Sequence, residues 1–167
     1  MTADELKALQ TPLKARYKDD PTAATVTLKS EGFLGGDTLT CTVSSWKGPI
    51  EAGLHPAAGG DGSWACSGEM LLEALVACAG VTLKAVATAL SMSLRGGTIR
   101  AEGDLDFRGT LGVSKDVPVG FKTIRLTFDL QSDAPSELLD KLVQLTERYC
   151  VIYQTLKSPA TITVARH

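Results

Sequence analysis

Two cysteines that are far apart in the sequence are the residues of this chain best suited to chemistry. Cys78 lies in the middle of the most apolar segment, residues 70–90, and Cys150 follows a second apolar helical segment near the C-terminus. Their separation is too large for a local metal knuckle or a Cys-x-x-Cys redox turn. If the two helices pack together, the sulfurs meet inside the fold. A thiol pair held in this way suits two-electron redox chemistry on a small oxidant.

The local sequence leaves open which thiol is reactive. Free cysteine is often buried, so Cys78 also fits a core position, and its place in mid-helix gives it no help from the helix dipole. Cys66 lies just before the predicted helix start, where backbone N–H groups favour a thiolate, and on local electrostatics it ranks above Cys78. Cys41 alternates with apolar residues and is predicted to be core. A nucleophilic Cys78 therefore needs a cation or a hydrogen-bond donor supplied by tertiary structure.

Residues 47–66 are predicted to form a long irregular loop, and such loops in compact domains are more often functional than filler. His55 in this loop is a candidate general base or thiolate partner, although a loop histidine is usually polar surface. Trp46 and Trp64 bracket the loop and are candidate walls of an apolar binding pocket, with core packing as the alternative. The sequence has no zinc-ligand spacing and no P-loop, so we expect neither a metal nor an organic cofactor.

The composition is that of a globular protein of 167 residues, with 44 % hydrophobic and 22 % charged residues. The net charge of −2 and the absence of a basic block argue against nucleic-acid binding. The N-terminus is acidic where a signal peptide would be basic. Glu73 and Lys84 interrupt the apolar stretch, and the uncharged run between them is well short of the roughly 20 residues that a membrane span needs. We therefore expect a cytoplasmic protein, in which thiols stay reduced unless they are catalytic or sensing.

Hydrophobic periodicity predicts the order β-β-β-α-β-β-α-β after a short leading helix. Thr2 and Glu5 have capping-box spacing at the start of that helix, and Pro12 is predicted to end it. The long apolar helix should begin at Ser67 and run to about Leu94. The other helix carries an apolar stripe near the C-terminus. The predicted strands lie at residues 13–17, 26–28, 39–43, 99–107, 124–130 and 161–164.

The long central helix is apolar almost all round, so it must be buried on several sides. One small sheet in the same chain does not suffice to cover it. We therefore expect a two-fold homodimer, in which the partner subunit supplies the remaining cover.

Both cysteine segments resemble those of a known family. Residues 69–78 read Glu-Met-Leu-Leu-Glu-Ala-Leu-Val-Ala-Cys and resemble the central helix of the OsmC/Ohr family, the osmotically inducible and organic-hydroperoxide-resistance proteins, which often reads Glu-Leu-Leu-Leu-Ala-Ala-Leu-Gly-Ala-Cys. Residues 149–156 read Tyr-Cys-Val-Ile-Tyr-Gln-Thr-Leu and resemble the family's second segment, usually Cys-Pro-Val-Ser-x-x-Leu, with Val151 in place of the proline. The likeness extends over about residues 15–166.

The resemblance implies an OsmC-like α+β fold with a buried central helix. It implies a single domain over residues 1–167, with residues 1–12 as a short N-terminal helical extension, and an intertwined homodimer with active sites at the subunit interface. Family members also use an arginine from the first strands and a glutamate near the helix start. Arg16, the only arginine before Cys78, and Glu69 are the candidates, although the family position of the glutamate holds Gly68 in this chain.

The activity that the resemblance implies is that of a thiol-dependent peroxidase with an organic hydroperoxide as substrate. Cys78 is then the peroxidatic nucleophile and Cys150 the resolving thiol, and an external dithiol restores the pair. Two alternatives on the same fold are a non-catalytic dimer that binds a small molecule and a thiol redox sensor.

Overall fold

The computed structural model describes residues 1–166 and shows a mixed α+β protein, which confirms the predicted fold class. The helices are α1 (Ala3–Asp19), α2 (Ser67–Ala89), α3 (Phe107–Thr110), α4 (Ser136–Tyr149) and α5 (Val151–Lys157). The strands are β1 (Gly32–Phe33), β2 (Cys41–Val43), β3 (Ile50–Gly53), β4 (Ala65–Cys66), β5 (Gly96–Asp104) and β6 (Thr123–Gln131). The chain divides into two compact units. One comprises Met1–Asp19, Ala74–Arg100 and residues 126–166, and the other comprises Asp20–Glu73 and Ala101–Arg125.

The leading helix is longer than predicted. Its capping box is present, because the Thr2 N–H donates to Glu5 at 2.8 Å and the Glu5 N–H donates to Thr2 at 3.1 Å. The helix then continues through Pro12 to Asp19, so the predicted end at Pro12 and the strand at 13–17 are wrong. Leu13 and Tyr17 are four residues apart, so they share one face of a helix. The apolar spacing in this segment therefore fits a helix as well as a strand. No residue of α1 is buried, and solvent can therefore bind the carbonyl that proline leaves without a donor.

Helix α2 ends five residues before the predicted Leu94, at a residue in the left-handed conformation. Ser91 has φ 55°, the Ser91 N–H bonds the Thr88 carbonyl at 3.0 Å, and the Met92 N–H reaches back to the Ala87 carbonyl at 2.8 Å. This pattern closes the last turn of a helix and usually employs glycine at the left-handed position. Serine occupies this left-handed position here. The prediction relied on the glycines at the start of β5 as the stop signal and therefore placed the end of the helix too late.

The first unit contains the core. Leu83 and Ala87 of α2 and Leu142 of α4 form a buried cluster. Partly buried side chains pack against this cluster, namely those of Val86, Met92, Leu94, Phe128 and Leu130. The buried residues of α2 are four apart, at Leu75, Ala79, Leu83 and Ala87. They form one stripe, while Val81 on another face is 74 % exposed. Within this chain, α2 is therefore covered along one side.

The second unit contains a four-stranded sheet in the order β1-β2-β3-β4. β1 pairs with β2 and β2 with β3 in antiparallel fashion, and β3 pairs with β4 in parallel, with Gly53 opposite Cys66. Segment 47–66 was predicted to be wholly irregular, and the structure corrects this because it contains both β3 and β4. These strands have four and two residues, too few for the alternation that identifies a strand from sequence.

Besides the strand predicted at 13–17, two further predicted strands are not present in residues 1–166 of the structure. Residues 26–28 and 161–164 have no regular secondary structure. Their apolar side chains are largely exposed, at Val26, Leu28, Ile162 and Val164. The predictions at 99–107 and 124–130 are close to the observed β5 and β6, which pair with each other in a two-stranded sheet. Long strands with sustained alternation were thus predicted well, and short ones were not.

By length and composition alone, α2 is apolar enough to cross a membrane, with a mean hydropathy of 1.8 over its most apolar window. The central helix of a globular protein satisfies the same criterion, and α2 carries a buried stripe that packs on α4.

Leu142 gives a direct test of the core in the first unit. It is fully buried, whereas Leu138, one turn earlier on α4, is 45 % exposed. We expect Leu142→Ala to lower the free energy of unfolding by about 2–5 kcal/mol, because it removes buried methyl groups and leaves a cavity. Urea denaturation of the reduced protein measures this change. Leu138→Ala is the matched control and should cost less than about 1 kcal/mol; equal losses for the two variants would contradict this description of the core.

Candidate active site

The structure brings the sulfurs of Cys78 and Cys150 together within the first unit. Cys78 is half-buried in α2, and Cys150 is 1 % exposed at the joint between α4 and α5. Cys150 has an extended backbone, with φ −73° and ψ 111°. Its N–H closes α4 on the Thr146 carbonyl at 2.8 Å, and its carbonyl accepts the Gln154 N–H of α5 at 3.0 Å. Hydrogen bonding between the two thiols lowers the pKa of Cys78 and raises the pKa of Cys150.

The pKa of the Cys78 thiol lies below its ordinary value because several donors act on the sulfur. Burial works in the opposite direction, as it disfavours a charged thiolate. The donors that lower the pKa are, in order of effect, the Ile152 N–H, the Cys150 thiol, the Val151 N–H and the Thr82 hydroxyl, and together they outweigh burial. Val151 and Ile152 form the first turn of α5, where N–H groups have no partner inside the helix. The Cys78 sulfur is therefore the acceptor that these amides need.

Cys150 shows the opposite behaviour. Burial raises the pKa of its thiol, the Tyr153 N–H lowers it to a smaller extent, and the neighbouring Cys78 raises it further. Two sulfurs in contact cannot both carry charge at low cost. The arrangement therefore favours a thiolate at half-buried Cys78 and a protonated thiol at buried Cys150.

The two residues expected to activate the thiolate, Arg16 and Glu69, lie apart from the groups that lower the Cys78 pKa in this chain. Among the described residues, the groups that act most strongly on the Cys78 sulfur include neither an arginine nor a glutamate. Arg16 lies exposed on α1, in the segment that was predicted to be a strand. Glu69 precedes Cys78 by nine residues on α2, which corresponds to two and a half turns, so the two side chains leave opposite sides of the helix.

Glu69 instead lines a separate cavity in the second unit, together with His55 and Cys66. This cavity has a volume of about 410 Å³, and Phe107 and Phe121 provide aromatic walls. The His55 ring stacks on Phe107 with centroids 5.1 Å apart. Its Nδ1 accepts the Ala57 N–H at 3.0 Å, so the neutral ring carries its proton on Nε2.

The two tryptophans are not among the residues that line this cavity. Trp46 is 90 % exposed, with the Lys47 ammonium 5.0 Å from its ring centroid. Trp64 is 44 % exposed and packs against Gly53, where an added Cβ would lie 2.8 Å from the Trp64 side chain. The predicted pocket walls are thus supplied by phenylalanines, and the tryptophans flank the loop without enclosing it.

Sequence reasoning missed three of the groups that lower the pKa of Cys78. Two of them are backbone amides, which carry no residue-type signal. Helix α5 itself was not predicted, because it follows α4 after a single intervening residue. The third group, Thr82, lies one helical turn after Cys78, and its i, i+4 spacing was the only available signal.

The family can now be assigned. The family model described as OsmC-like protein matches residues 60–165, more than half of the chain and both cysteines. The chain belongs to this family. A comparison with curated proteins gives no match.

Solved structures of OsmC-like proteins share the fold at low sequence identity. An OsmC-like protein from Mycoplasma pneumoniae is 17 % identical, with a TM-score of 0.67 over 80 % of this chain and 89 % of its own. An organic hydroperoxide resistance protein from Elizabethkingia anophelis is 14 % identical, with a TM-score of 0.64 over 81 % and 91 %. One from Legionella pneumophila is 15 % identical, with a TM-score of 0.63 over 80 % and 93 %.

Substitution of Val151 tests the role of the amides. Proline is tolerated at the first position of a helix, and the extended Cys150 before it is compatible with a following proline. We expect Val151→Pro to raise the Cys78 pKa, because one donor to the thiolate is lost. Alkylation of Cys78 by iodoacetamide at neutral pH should slow by roughly two- to tenfold. The measurement is made in a Cys41→Ser, Cys66→Ser background, and Val151→Ala, which keeps the N–H, is the control. The same alkylation profile for both variants would show that the amide has no influence.

Proposed function

We propose that this OsmC-like protein is a thiol-dependent peroxidase that reduces organic hydroperoxides. The observation that carries the proposal is the pair of unequal thiols: a half-buried Cys78 with a lowered pKa in contact with a buried Cys150 with a raised one. Structural neighbours named as organic hydroperoxide resistance proteins support the same chemistry. The apolar residues that surround Cys78 on α2 favour an organic peroxide over hydrogen peroxide.

The reaction begins with attack of the Cys78 thiolate on the terminal peroxide oxygen. The sulfur–oxygen bond forms, the O–O bond breaks, and the alkoxide takes up a proton to leave as an alcohol. Cys78 is then a sulfenic acid. Cys150 attacks this sulfur, its thiol proton joins the departing hydroxide as water, and a Cys78–Cys150 disulfide remains. An external dithiol reduces the disulfide by exchange and returns both thiols. These steps need no metal or organic cofactor, and we place them in the cytoplasm, where a reducing pool supplies the dithiol.

Cysteine variants test the proposed roles. Wild-type protein should consume cumene hydroperoxide over many turnovers with a dithiol, and mass spectrometry of the oxidised protein should show a bond between Cys78 and Cys150. Cys78→Ser should lose turnover, Cys150→Ser should stop after one oxidation of Cys78, and Cys66→Ser, the matched control, should retain turnover. A bridge through Cys66 would refute the assignment. A single oxidation of wild type, with no turnover, would indicate a redox sensor instead.

The pH dependence of the first step follows from the lowered Cys78 pKa. The reactive species is the thiolate, so the rate of Cys78 oxidation should rise with pH and level off above the Cys78 pKa. Because that pKa is lowered in the folded protein, the inflection should fall below that of an ordinary cysteine thiol. Stopped-flow measurement with excess cumene hydroperoxide gives the profile. An inflection at or above the ordinary thiol value would contradict a stabilised thiolate.

We further propose that the protein acts as an intertwined homodimer. Helix α2 is covered along one side only, and Val81 stands 74 % exposed on an uncovered side. Beside it, an apolar hollow of about 470 Å³ in the first unit is lined by residues that include Val76, Gly80, Ile99 and Leu130. The exposed apolar residues near both ends of the chain also lack cover within residues 1–166. A second copy that covers these surfaces would bury apolar area worth about 25 cal/mol per Å².

Val81 gives the test of this assembly. We expect Val81→Asp to convert the protein to a monomer, because a carboxylate cannot be buried unpaired in an apolar interface. Sedimentation equilibrium measures the mass. Glu73→Gln on the same helix serves as the control, since its side chain is already polar and exposed. A wild-type protein that sediments as a monomer at micromolar concentration would refute the dimer.

A further inference from the structure

The break between α4 and α5 has no cause in the local residue types. Residues 136–157 contain neither proline nor glycine, the residues that usually end or kink a helix. Cys150 nevertheless has an extended backbone, with φ −73° and ψ 111°. Without those residues, a helix is interrupted where another group enters its ladder of main-chain hydrogen bonds. A side chain near the joint therefore has to supply that group.

Gln154 supplies it. In a continuous helix the Glu147 carbonyl would accept the Val151 N–H, four residues later. The last main-chain bond of α4 instead runs from the Cys150 N–H to the Thr146 carbonyl. The side-chain Nε2 of Gln154 donates to the Glu147 carbonyl at 2.8 Å. Within residues 1–166, the Val151 N–H makes no bond to that carbonyl, so the glutamine occupies the acceptor through which the helix would continue.

Gln154 also binds the other side of the joint. Its main-chain N–H donates to the Cys150 carbonyl at 3.0 Å and opens α5. Glu147 is held a second time through its carboxylate, which accepts the Tyr153 hydroxyl at 3.2 Å. Burial and this carboxylate raise the pKa of Tyr153, so the hydroxyl keeps its proton and remains a donor. Three hydrogen bonds thus connect α4 to α5 across one extended residue.

We propose that Gln154 is a positioning residue, whose side chain keeps the helix open at Cys150 so that this thiol and the first turn of α5 face Cys78 together. The inference rests on the proposed peroxidase function, which uses both thiols. Without the glutamine amide, the Val151 N–H is free to return to the Glu147 carbonyl. The ψ angle of Cys150 would then change from 111° to about −42°, the helical value, and α5 would swing relative to α4.

Helix α5 is the element that would move. Leu142 and Thr146 are fully buried and anchor α4, whereas α5 has no buried residue. Its first turn lies against both sulfurs. When this turn moves away, Cys78 loses donors that stabilise its thiolate and should react more slowly. Cys150, now 1 % exposed, loses cover and should react more quickly. A general loosening of the fold would instead speed the reaction of both thiols.

Substitutions at Gln154 test this role through the alkylation rates of the two cysteines. Gln154→Met removes the donor, and Gln154→Lys keeps a donor on a side chain of similar length. All three residue types have similar helix propensities. Gln144→Met, at an exposed glutamine of α4, is the matched control. Each variant is made in the Cys41→Ser, Cys66→Ser background, and mass spectrometry follows iodoacetamide labelling of each remaining cysteine at neutral pH.

We expect Gln154→Met to slow alkylation of Cys78 by about two- to tenfold and to speed that of Cys150 by a similar factor, as for the loss of one hydrogen bond. Gln154→Lys should recover most of both changes, and Gln144→Met should match the parent protein. The same rates in Gln154→Met and Gln144→Met would overturn the proposal. Faster labelling of both cysteines would show a purely structural role, and equal effects of Gln154→Met and Gln154→Lys would show that the donor is not the active group.

A Val151→Pro background tests the competition for the Glu147 carbonyl. Proline has no N–H to return to this carbonyl, and its ring clashes with the carbonyl four residues earlier. The break is then enforced without the glutamine, so adding Gln154→Met should change neither labelling rate further. A further change equal to that in the Val151 protein would refute the competition.

The labelling experiment uses no peroxide, which keeps this inference separate from the proposed function. If the wild type does not consume cumene hydroperoxide, the peroxidase proposal fails, and the opposite changes at Cys78 and Cys150 would still establish the role of Gln154. Unchanged labelling in Gln154→Met would overturn that role even in an active peroxidase.

Discussion

The hydrogen bonds from the first turn of α5 to the Cys78 sulfur are the interaction on which the site depends. Cys78 lies in the middle of an apolar helix, where burial alone would keep its thiol neutral. The chain compensates by ending α4 at Tyr149 and starting α5 at Val151, with Cys150 as the single extended residue between them. This break exposes unpaired N–H groups and places them against the sulfur, together with the Cys150 thiol. One local change of backbone direction thus supplies both the charge stabilisation and the second thiol of the pair.

Much of the fold could be predicted where the sequence pattern is long. The apolar run that became α2, the alternation that became β5 and β6, and the stripe of α4 each extend over nine or more residues, and each was recognised. The failures concern short or exposed segments. β4 forms through its pairing with β3, and β3 pairs with β2 as well, so both short strands depend on contacts with other segments. Residues 161–164 alternate like a strand, yet they find no partner strand within residues 1–166. Alternation indicates that a segment is able to pair, while pairing itself requires a neighbour.

The candidate site was predictable to the level of side chains and no further. The two cysteines were identified from their apolar context and their resemblance to the OsmC/Ohr family, and the structure brings them together. The two residues expected by analogy are not among the groups that lower the Cys78 pKa in this chain: Arg16 lies on an exposed helix, and Glu69 leaves α2 on the opposite side. Main-chain amides of α5 lower the Cys78 pKa instead. Their contribution is invisible in a sequence because every residue except proline carries one, and only the course of the backbone decides where it points.

The imbalance between the two thiols also affects the reduction potential of the pair. A thiolate that accepts several hydrogen bonds stabilises the reduced protein, whereas a disulfide sulfur is a poor acceptor and gains little from the same amides. Stabilising the reduced form makes a disulfide more oxidising. A dithiol of ordinary reducing strength would therefore readily reduce a disulfide between Cys78 and Cys150. The amides that stabilise the Cys78 thiolate would thus also favour reduction of the disulfide back to two thiols.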